Sequence, residues 1–210
     1  ERDKPYRLLL LVRNREGYGT LCRLLTRAYL ENKYRGRAEI RREWLEADDT
    51  GAAGLIALSG AMQGDVGLAL LSGNMDAARK LAADWLRLFG GDYCIELQRA
   101  GHPNTEAYVA SACTLASELD IAVVATHPVQ FMAPDDYKAH EARVCIAQGY
   151  VLTDKRRPRD FTEQQYFKTS AEMAELFSDI PEAVSNSVEI ARRCNLTLTL
   201  GKNYLPQFPT

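Results

Sequence analysis

The chain has 210 residues, 46% of them hydrophobic and 26% charged, and a formal net charge of -2. That is an ordinary globular composition, long enough to bury a core without disulfide or metal staples. The near-neutral balance excludes any global attraction to nucleic acid or an acidic membrane, and no apolar run approaches the roughly 20 residues that span a bilayer.

In chain order, the first element is a strand, "YRLLLLVRN" (Tyr6 to Asn14). It begins almost at the first residue, after "ERDKP", with no secretory leader. A buried strand placed there suggests a chain cut from something larger. Tyr18, Leu21, Leu24, Leu25 and Ala28 then recur at helical spacing. "GLIALSG" (Gly54 to Gly60) is a second strand. A helix follows from Asn74, which can cap it. Its apolar face is Met75, Ala78, Leu81, Trp85, Leu88 and Phe89, and Gly90-Gly91 stops it. "YCIEL" (Tyr93 to Leu97) is a third strand. Tyr108, Ala112, Leu115 and Leu119 make the next helical face, with Asn104 as its cap. "IAVVATH" (Ile121 to His127) is the fourth strand. Strands and helices alternating at this spacing require crossover connections, hence a parallel sheet, open or closed into a barrel.

After residue 134 the pattern turns helical. Asp135 or Asp136 can cap a helix running to Gly149, and a basic loop, "TDKRRPRDF", follows. Thr162 with Gln165, and Thr169 with Glu172, read as capping boxes. Asp179 with Pro181 opens a last helix ending near Cys194. "LTLTLG" alternates like an edge strand, and "YLPQFPT" reads as a linker.

Five scattered cysteines (Cys22, Cys94, Cys113, Cys145, Cys194) contain no CxxC pair. They argue for a reducing, cytoplasmic setting and against a disulfide framework or a zinc site. His127 ends the fourth strand, where ligands and bases often sit. Its neighbours Pro128, Val129 and Gln130 offer no metal-binding partners, so a hydrogen-bonded strand-end histidine is the plainer reading. His140 reads as packing against the sheet, with Glu141 solvated or paired to Arg143 or Lys138. His102, in the turn "RAGHPNTE", faces water. Glu96 lies inside a buried strand and must point into a cavity or find a cation, and Arg99 is near in sequence. In "LSGAMQGDVG", Gly60, Gly64 and Gly67 lack both the GxxxxGK[ST] and the GxGxxG spacing, which leaves a tight turn into a helix. Lys155, Arg156, Arg157 and Arg159 could hold phosphates or a partner, though Asp154 and Asp160 partly cancel them.

Several stretches carry a more specific signal: "LVRNREGYGTLCRLLTRAY", "ALSGAMQGDVGLALLSGN", "YCIELQRAGHP", "VVATHPVQFMAPDDYKAHEARVCIAQG", "DKRRPRDFTEQQYFKTSAEMAELFSDIPEAVSNSVEIARRCN" and "YLPQFPT". Together they resemble the bacterial replicative DNA polymerase III alpha subunits, over the later part of the N-terminal polymerase-and-histidinol-phosphatase (PHP) domain of that family. The resemblance implies an α/β fold, a distorted parallel β/α barrel of the PHP type, with its N-terminal part missing and a helical C-terminal portion. Residues 1–200 would form that domain, and residues 201–210 would begin the linker into the polymerase palm.

Family members that keep their metal cluster can act as 3′–5′ exonucleases. Carried over position by position, their remaining ligands fall here on Arg7, Ala61, Pro128 and Gln130, none of which can serve. The resemblance therefore implies a vestigial site with no catalytic residue, no metal and no cofactor in this stretch, magnesium being the cofactor of the parent polymerase. It implies partners as well: the separate proofreading exonuclease subunit, the remainder of the polymerase chain, and DNA through the parent enzyme. No membrane partner is implied. The rival expectation is a metal-dependent phosphoesterase or 3′–5′ exonuclease with rearranged ligands, His102, His127, His140 and Glu96, completed by the missing N-terminal segment.

Overall fold

The computed structural model describes residues 4–46, 51–203 and 205. They fall into two compact units: residues 1–10 with 56–192, and residues 11–55 with 193–210.

The first unit is built on a parallel sheet. Its strands are β4 (Leu55–Leu58), β5 (Tyr93–Gln98) and β6 (Val123–Thr126), joined at one edge by β1 (Leu9–Val12) in the order β1-β4-β5-β6. The chain passes from one unit to the other within β1 and within β4. β4 and β5 run parallel with Ala57 opposite Tyr93; β5 and β6 run parallel with Ile95 opposite Val123 and Gln98 opposite Thr126. Parallel strands are covered on both faces, so they read as continuous apolar runs. Leu55 to Leu58 and Tyr93 to Leu97 are accordingly all buried.

The crossovers are helical, as the spacing requires. A short 3-10 turn at Ala61–Gln63 leads into α3 (Asp65–Leu71), then α4 (Met75–Phe89) returns to β5. Asn74 caps α4 through its side chain, which accepts from the Ala77 N–H at 3.0 Å. Ala78, Ala82, Trp85 and Phe89 are the buried face. α5 (Thr105–Leu119) crosses from β5 to β6 and buries Tyr108, Val109, Ala112, Leu115 and Ala116. Then come α6 (Tyr137–Gln148), α7 (Ser170–Leu176) and α8 (Pro181–Arg193). Among the described residues no helix is long and apolar enough to cross a membrane.

The second unit holds α1 (Arg15–Glu31), a hairpin of β2 (Lys33–Tyr34) and β3 (Arg37–Ala38), and α2 (Arg42–Glu46). Asn14 caps α1 by accepting from the Gly17 N–H. Arg35 and Gly36 both have positive φ, 48° and 82°, as a two-residue hairpin turn demands.

Four local expectations are corrected. Asn104 sits at the start of α5 but makes no side-chain cap, because its backbone is left-handed (φ 63°). Instead the Thr105 hydroxyl donates to the His102 carbonyl. Asp136 does not cap α6 with its side chain; its carboxylate accepts from the Ala133 N–H one turn earlier. Only half of the Thr162–Gln165 box forms: the Thr162 N–H donates to Gln165 Oε1, but the Thr162 hydroxyl accepts from the Gln164 N–H, no helix follows, and the chain runs on into an extended bridge. "LTLTL" forms no strand; Leu198 and Leu200 are exposed. The Thr169 box with Glu172 and the Pro181 helix start are both present. Of the linker, only residues 201–203 and 205 are described.

Candidate functional site

In a parallel α/β sheet, functional groups collect at the C-terminal ends of the strands. Here that edge is made by Ser59 after β4, Glu96 and Gln98 at the end of β5, and Thr126 and His127 at the end of β6.

Glu96 is 4% exposed. The Thr126 hydroxyl donates to its Oε1, and Gln98 Nε2 donates to the same oxygen at 2.9 Å and to Thr126 Oγ1 at 3.1 Å. Its backbone is held too: the Glu96 N–H donates to Ser59 Oγ at 2.9 Å, and the Tyr108 hydroxyl donates to the Glu96 carbonyl at 2.7 Å. Burial pushes the Tyr108 hydroxyl well above its ordinary pKa.

Arg99 is not the partner of Glu96. Arg99 lies just beyond β5 and is drawn to other partners. It donates to both oxygens of Asp179 at 2.6 and 2.8 Å, to Glu106 and to the Leu176 carbonyl, and lies 5.1 Å above the Phe177 ring. Arg99 therefore ties β5 to the start of α5 and to the turn before α8. It also lines a cavity of about 510 Å³ with His102, Asn104, Thr105, Glu106 and Gln164. His102 is half-buried on the rim of this solvent-open cavity.

His127 Nε2 lies 2.8 Å from the Gln164 carbonyl and donates to it. Nδ1 is then the bare acceptor, buried and without a partner among the described residues. Burial holds the ring below its ordinary pKa, so His127 is neutral. This matches a strand-end histidine fixed by hydrogen bonding. The segment it begins is strapped down along its length. The Gln130 N–H donates to the Gln165 carbonyl at 2.8 Å, and the Phe167 N–H donates to the Phe131 carbonyl at 3.0 Å. Gln165 is the centre of the strap: 3% exposed, it donates from Nε2 to the Pro128 carbonyl at 3.0 Å and accepts the Thr162 N–H at 2.9 Å. The Thr162 hydroxyl donates to the Ala100 carbonyl and so fastens the strap to the chain beyond β5.

His140 is buried, but against Phe131 and Phe161, with ring centroids 5.5 and 4.7 Å away, rather than against the sheet. Its Nδ1 accepts from Arg143, which leaves Nε2 as a buried donor with no acceptor among the described residues. Desolvation and the nearby Arg143 charge keep it neutral. Glu141 is neither solvated nor paired to Arg143 or Lys138: it is buried and ion-paired with Arg157.

The four positions expected from the resemblance to be vestigial ligand positions lie before β1, in the turn after β4 and in the segment after β6. Arg7 is exposed and donates its N–H to the Gln63 carbonyl at 3.0 Å. Ala61 is buried at a positive φ of 48°. Pro128 and Gln130 lie in the strapped segment after β6. A cation, a methyl group and a proline ring have no lone pair to offer a metal, and the Gln130 side chain is exposed. The four residues of the rearranged alternative are not gathered either: Glu96, His127 and His140 have the separate partners just described. Among the described residues no three His, Cys, Asp or Glu side chains form a metal-ligating group.

The three glycines after β4 have steric explanations. Gly60 takes φ 78°, and the Arg7 carbonyl oxygen would stand 2.2 Å from a Cβ there. A Cβ on Gly64 would stand 1.8 Å from the Ser59 oxygen, and one on Gly67 1.9 Å from the Ala61 oxygen. They make a tight turn into a helix, as the spacing predicts.

Of the basic run, Arg157 is withdrawn from any contact role by its pairing with Glu141 and its bond to the Leu152 carbonyl at 3.2 Å. Arg156 pairs with Asp154, and Lys155 and Arg159 are exposed. Sequence reasoning missed Gln165, Thr162 and Glu141 as organisers.

Residues 1–100 match the PHP domain family. Over 99% of its length the chain is 55% identical to the DNA polymerase III subunit alpha of Neisseria meningitidis (strain Z2491). It is 46% identical to that of Pseudomonas aeruginosa over 100% of its length, and 44% identical to that of Escherichia coli K12 over 99%. The chain spans 18% of the length of each of these relatives.

Proposed function

Because the chain is related over nearly its whole length to a segment of the bacterial DNA polymerase III alpha subunits, we propose that it is a catalytically silent PHP domain of a replicative DNA polymerase. In this reading it supports the polymerase and docks the separate proofreading exonuclease. Residues 1–200 are the domain and residues 201–210 begin the linker to the palm. The sheet is part of a distorted β/α barrel completed by chain outside these residues. The setting is the cytoplasm, DNA is met through the parent enzyme, and magnesium belongs to the parent's polymerase site.

One observation carries the reading. Where the resemblance places the ligands of metal-binding family members, this chain has Arg7, Ala61, Pro128 and Gln130, of which the first three offer a metal no side-chain lone pair. The loop that would carry the last pair is held by Gln165, which donates to the Pro128 carbonyl and accepts from the Gln130 N–H. The Arg7 guanidinium adds a fixed positive charge at a position where a cation would have to sit, which opposes binding.

The test is elemental analysis of the full-length subunit after incubation with zinc and manganese and gel filtration. A control variant loses the polymerase's own carboxylates. Absence of tightly held metal from that control supports a silent domain. Two or three metals per chain, lost on His127→Ala, would make this a nuclease site with unfamiliar ligands.

A further inference from the structure

The stretch from the end of α6 through the basic loop has features that the reading above leaves unused. Ile146 is 82% exposed, Val151 65% and Leu152 49%. Single exposed apolar residues are common; here three fall within seven residues of chain, at the end of α6 and in the loop that follows. Close by in sequence stand three exposed cations, Lys155, Arg156 and Arg159. Composition understates their effect. The Arg156 side chain is 86% exposed while its partner Asp154 is only 18% exposed, so the outward charge of that pair is positive.

The loop is also pre-shaped. Gly149 ends α6 in the left-handed conformation (φ 74°), and the Tyr150 N–H donates back to the Cys145 carbonyl at 2.9 Å. The Asp154 N–H donates to the Val151 carbonyl at 3.0 Å. Arg157 then pins the loop from inside, pairing with buried Glu141 while its Nε donates to the Leu152 carbonyl. A buried ion pair contributes little net stability, yet it fixes one geometry. A surface fixed beforehand loses less entropy when a partner binds.

We propose that Ile146, Val151 and Leu152, framed by Lys155, Arg156 and Arg159, form a protein-docking surface for an acidic segment that carries an apolar anchor side chain. This deepens, and rests on, the reading of the domain as a docking platform. Charge complementarity selects the acidic partner, and the exposed aliphatic side chains select protein over nucleic acid. A phosphate backbone would match the cations and leave the apolar patch in water. Arg157 is a positioning residue here, and Glu141 holds it.

The experiment uses the full-length subunit, with the separate proofreading exonuclease of the same bacterium as probe and isothermal titration as readout. Two variants are compared: Ile146→Asp with Val151→Asp, and Lys155→Glu with Arg156→Glu and Arg159→Glu. All these side chains are exposed, and circular dichroism and polymerase activity confirm that each variant folds. The first variant weakens binding about tenfold or more, as loss of interface anchors does. The second weakens it most at low salt and flattens its salt dependence. Wild-type binding that neither variant changes would place the docking surface elsewhere and leave the platform reading intact. No binding by the wild type would sink the platform reading and this inference together. Unchanged exonuclease affinity with a charge-reversal loss of primed-DNA binding would overturn the inference in favour of a nucleic-acid contact.

Discussion

Replacing Gln165 by Ala tests what holds the loop after β6. The side chain is buried, with its donor on the Pro128 carbonyl and its acceptor on the Thr162 N–H. Removing it deletes two hydrogen bonds and strands two backbone groups. A neutral hydrogen bond contributes about 1 kcal/mol net, and leaving a partner unsatisfied raises the cost toward the top of the usual range. Loss of the buried Cγ methylene adds about 0.8 kcal/mol. The total is about 3 kcal/mol, or a fall in melting temperature of about 6–12 °C for a domain of this size. Hydrogen exchange locates the loss: the Gln130 and Phe167 amides, which bridge the strap to the loop, should open first. Gln165→Glu separates the two bonds. It keeps an oxygen for the Thr162 N–H and sets a carboxylate against the Pro128 carbonyl, so it should restore protection only on the Thr162 side. A Gln165→Ala variant within about 0.5 kcal/mol of wild type, with Gln130 still protected, would refute the reasoning.

Gly67→Ala should cost at least about 1–3 kcal/mol, because its Cβ would stand 1.9 Å from the Ala61 carbonyl oxygen and the turn must move to admit it; urea denaturation reads the change. His140 is held neutral below its ordinary pKa by burial beside Phe131 and Phe161 and by Arg143, against the opposing charge of Glu141. Its contribution to stability is complete above the unfolded value of about 6.5 and declines as pH falls through and below it. His140→Phe should flatten that slope in melting curves taken across the acid range. Glu172 is pulled down to about 2 by the Tyr166 hydroxyl and by the Thr169 N–H and hydroxyl. The start of α7 should therefore hold from neutral pH down through the ordinary carboxylate range, and loosen only as pH approaches about 2. Chemical-shift titration of the Thr169 amide checks this, with Glu172→Gln as the control.

What the sequence disclosed, and what it hid, follows from how far apart the interacting residues are. The parallel sheet was legible because buried parallel strands leave unbroken apolar runs, such as Leu55 to Leu58, between amphipathic helices. The hairpin at Lys33–Ala38 was not anticipated, since two-residue strands have no period to read. Only Arg35-Gly36 signalled the turn. "LTLTL" alternated yet formed no strand, because alternation supplies a face and not a partner. Arg99, close to Glu96 in sequence, was the cation expected beside it, yet it lies past the end of β5 and pairs with Glu106 and Asp179. The partner of Glu141 could not be read either: Arg157 lies 16 residues away, across a loop whose path no local rule fixes. The Thr162–Gln165 box shows the same limit. One of its two bonds formed, from the Thr162 N–H to the Gln165 side chain, and it helps close a strap over the loop instead of starting a helix.

A loop that ends a parallel strand must be anchored by something, because the sheet's hydrogen bonds stop there. In a metal site the ion serves, drawing several loops onto one charge, and the loops need few bonds to each other. In this chain the anchoring is distributed. Gln165 and the Gln130 and Phe167 amides hold the loop after β6, Thr162 fastens that strap to Ala100, and Arg99 joins the end of β5 to Glu106 and Asp179. The Glu96 carboxylate takes its hydrogen bonds from Thr126 and Gln98. A network of this kind specifies shape, since each bond fixes one pair of loops, whereas an ion specifies chemistry as well. For a domain whose proposed task is to present a surface, shape is the property that has to be kept, and the pinned loop from Ile146 to Arg159 is where that surface is predicted to be.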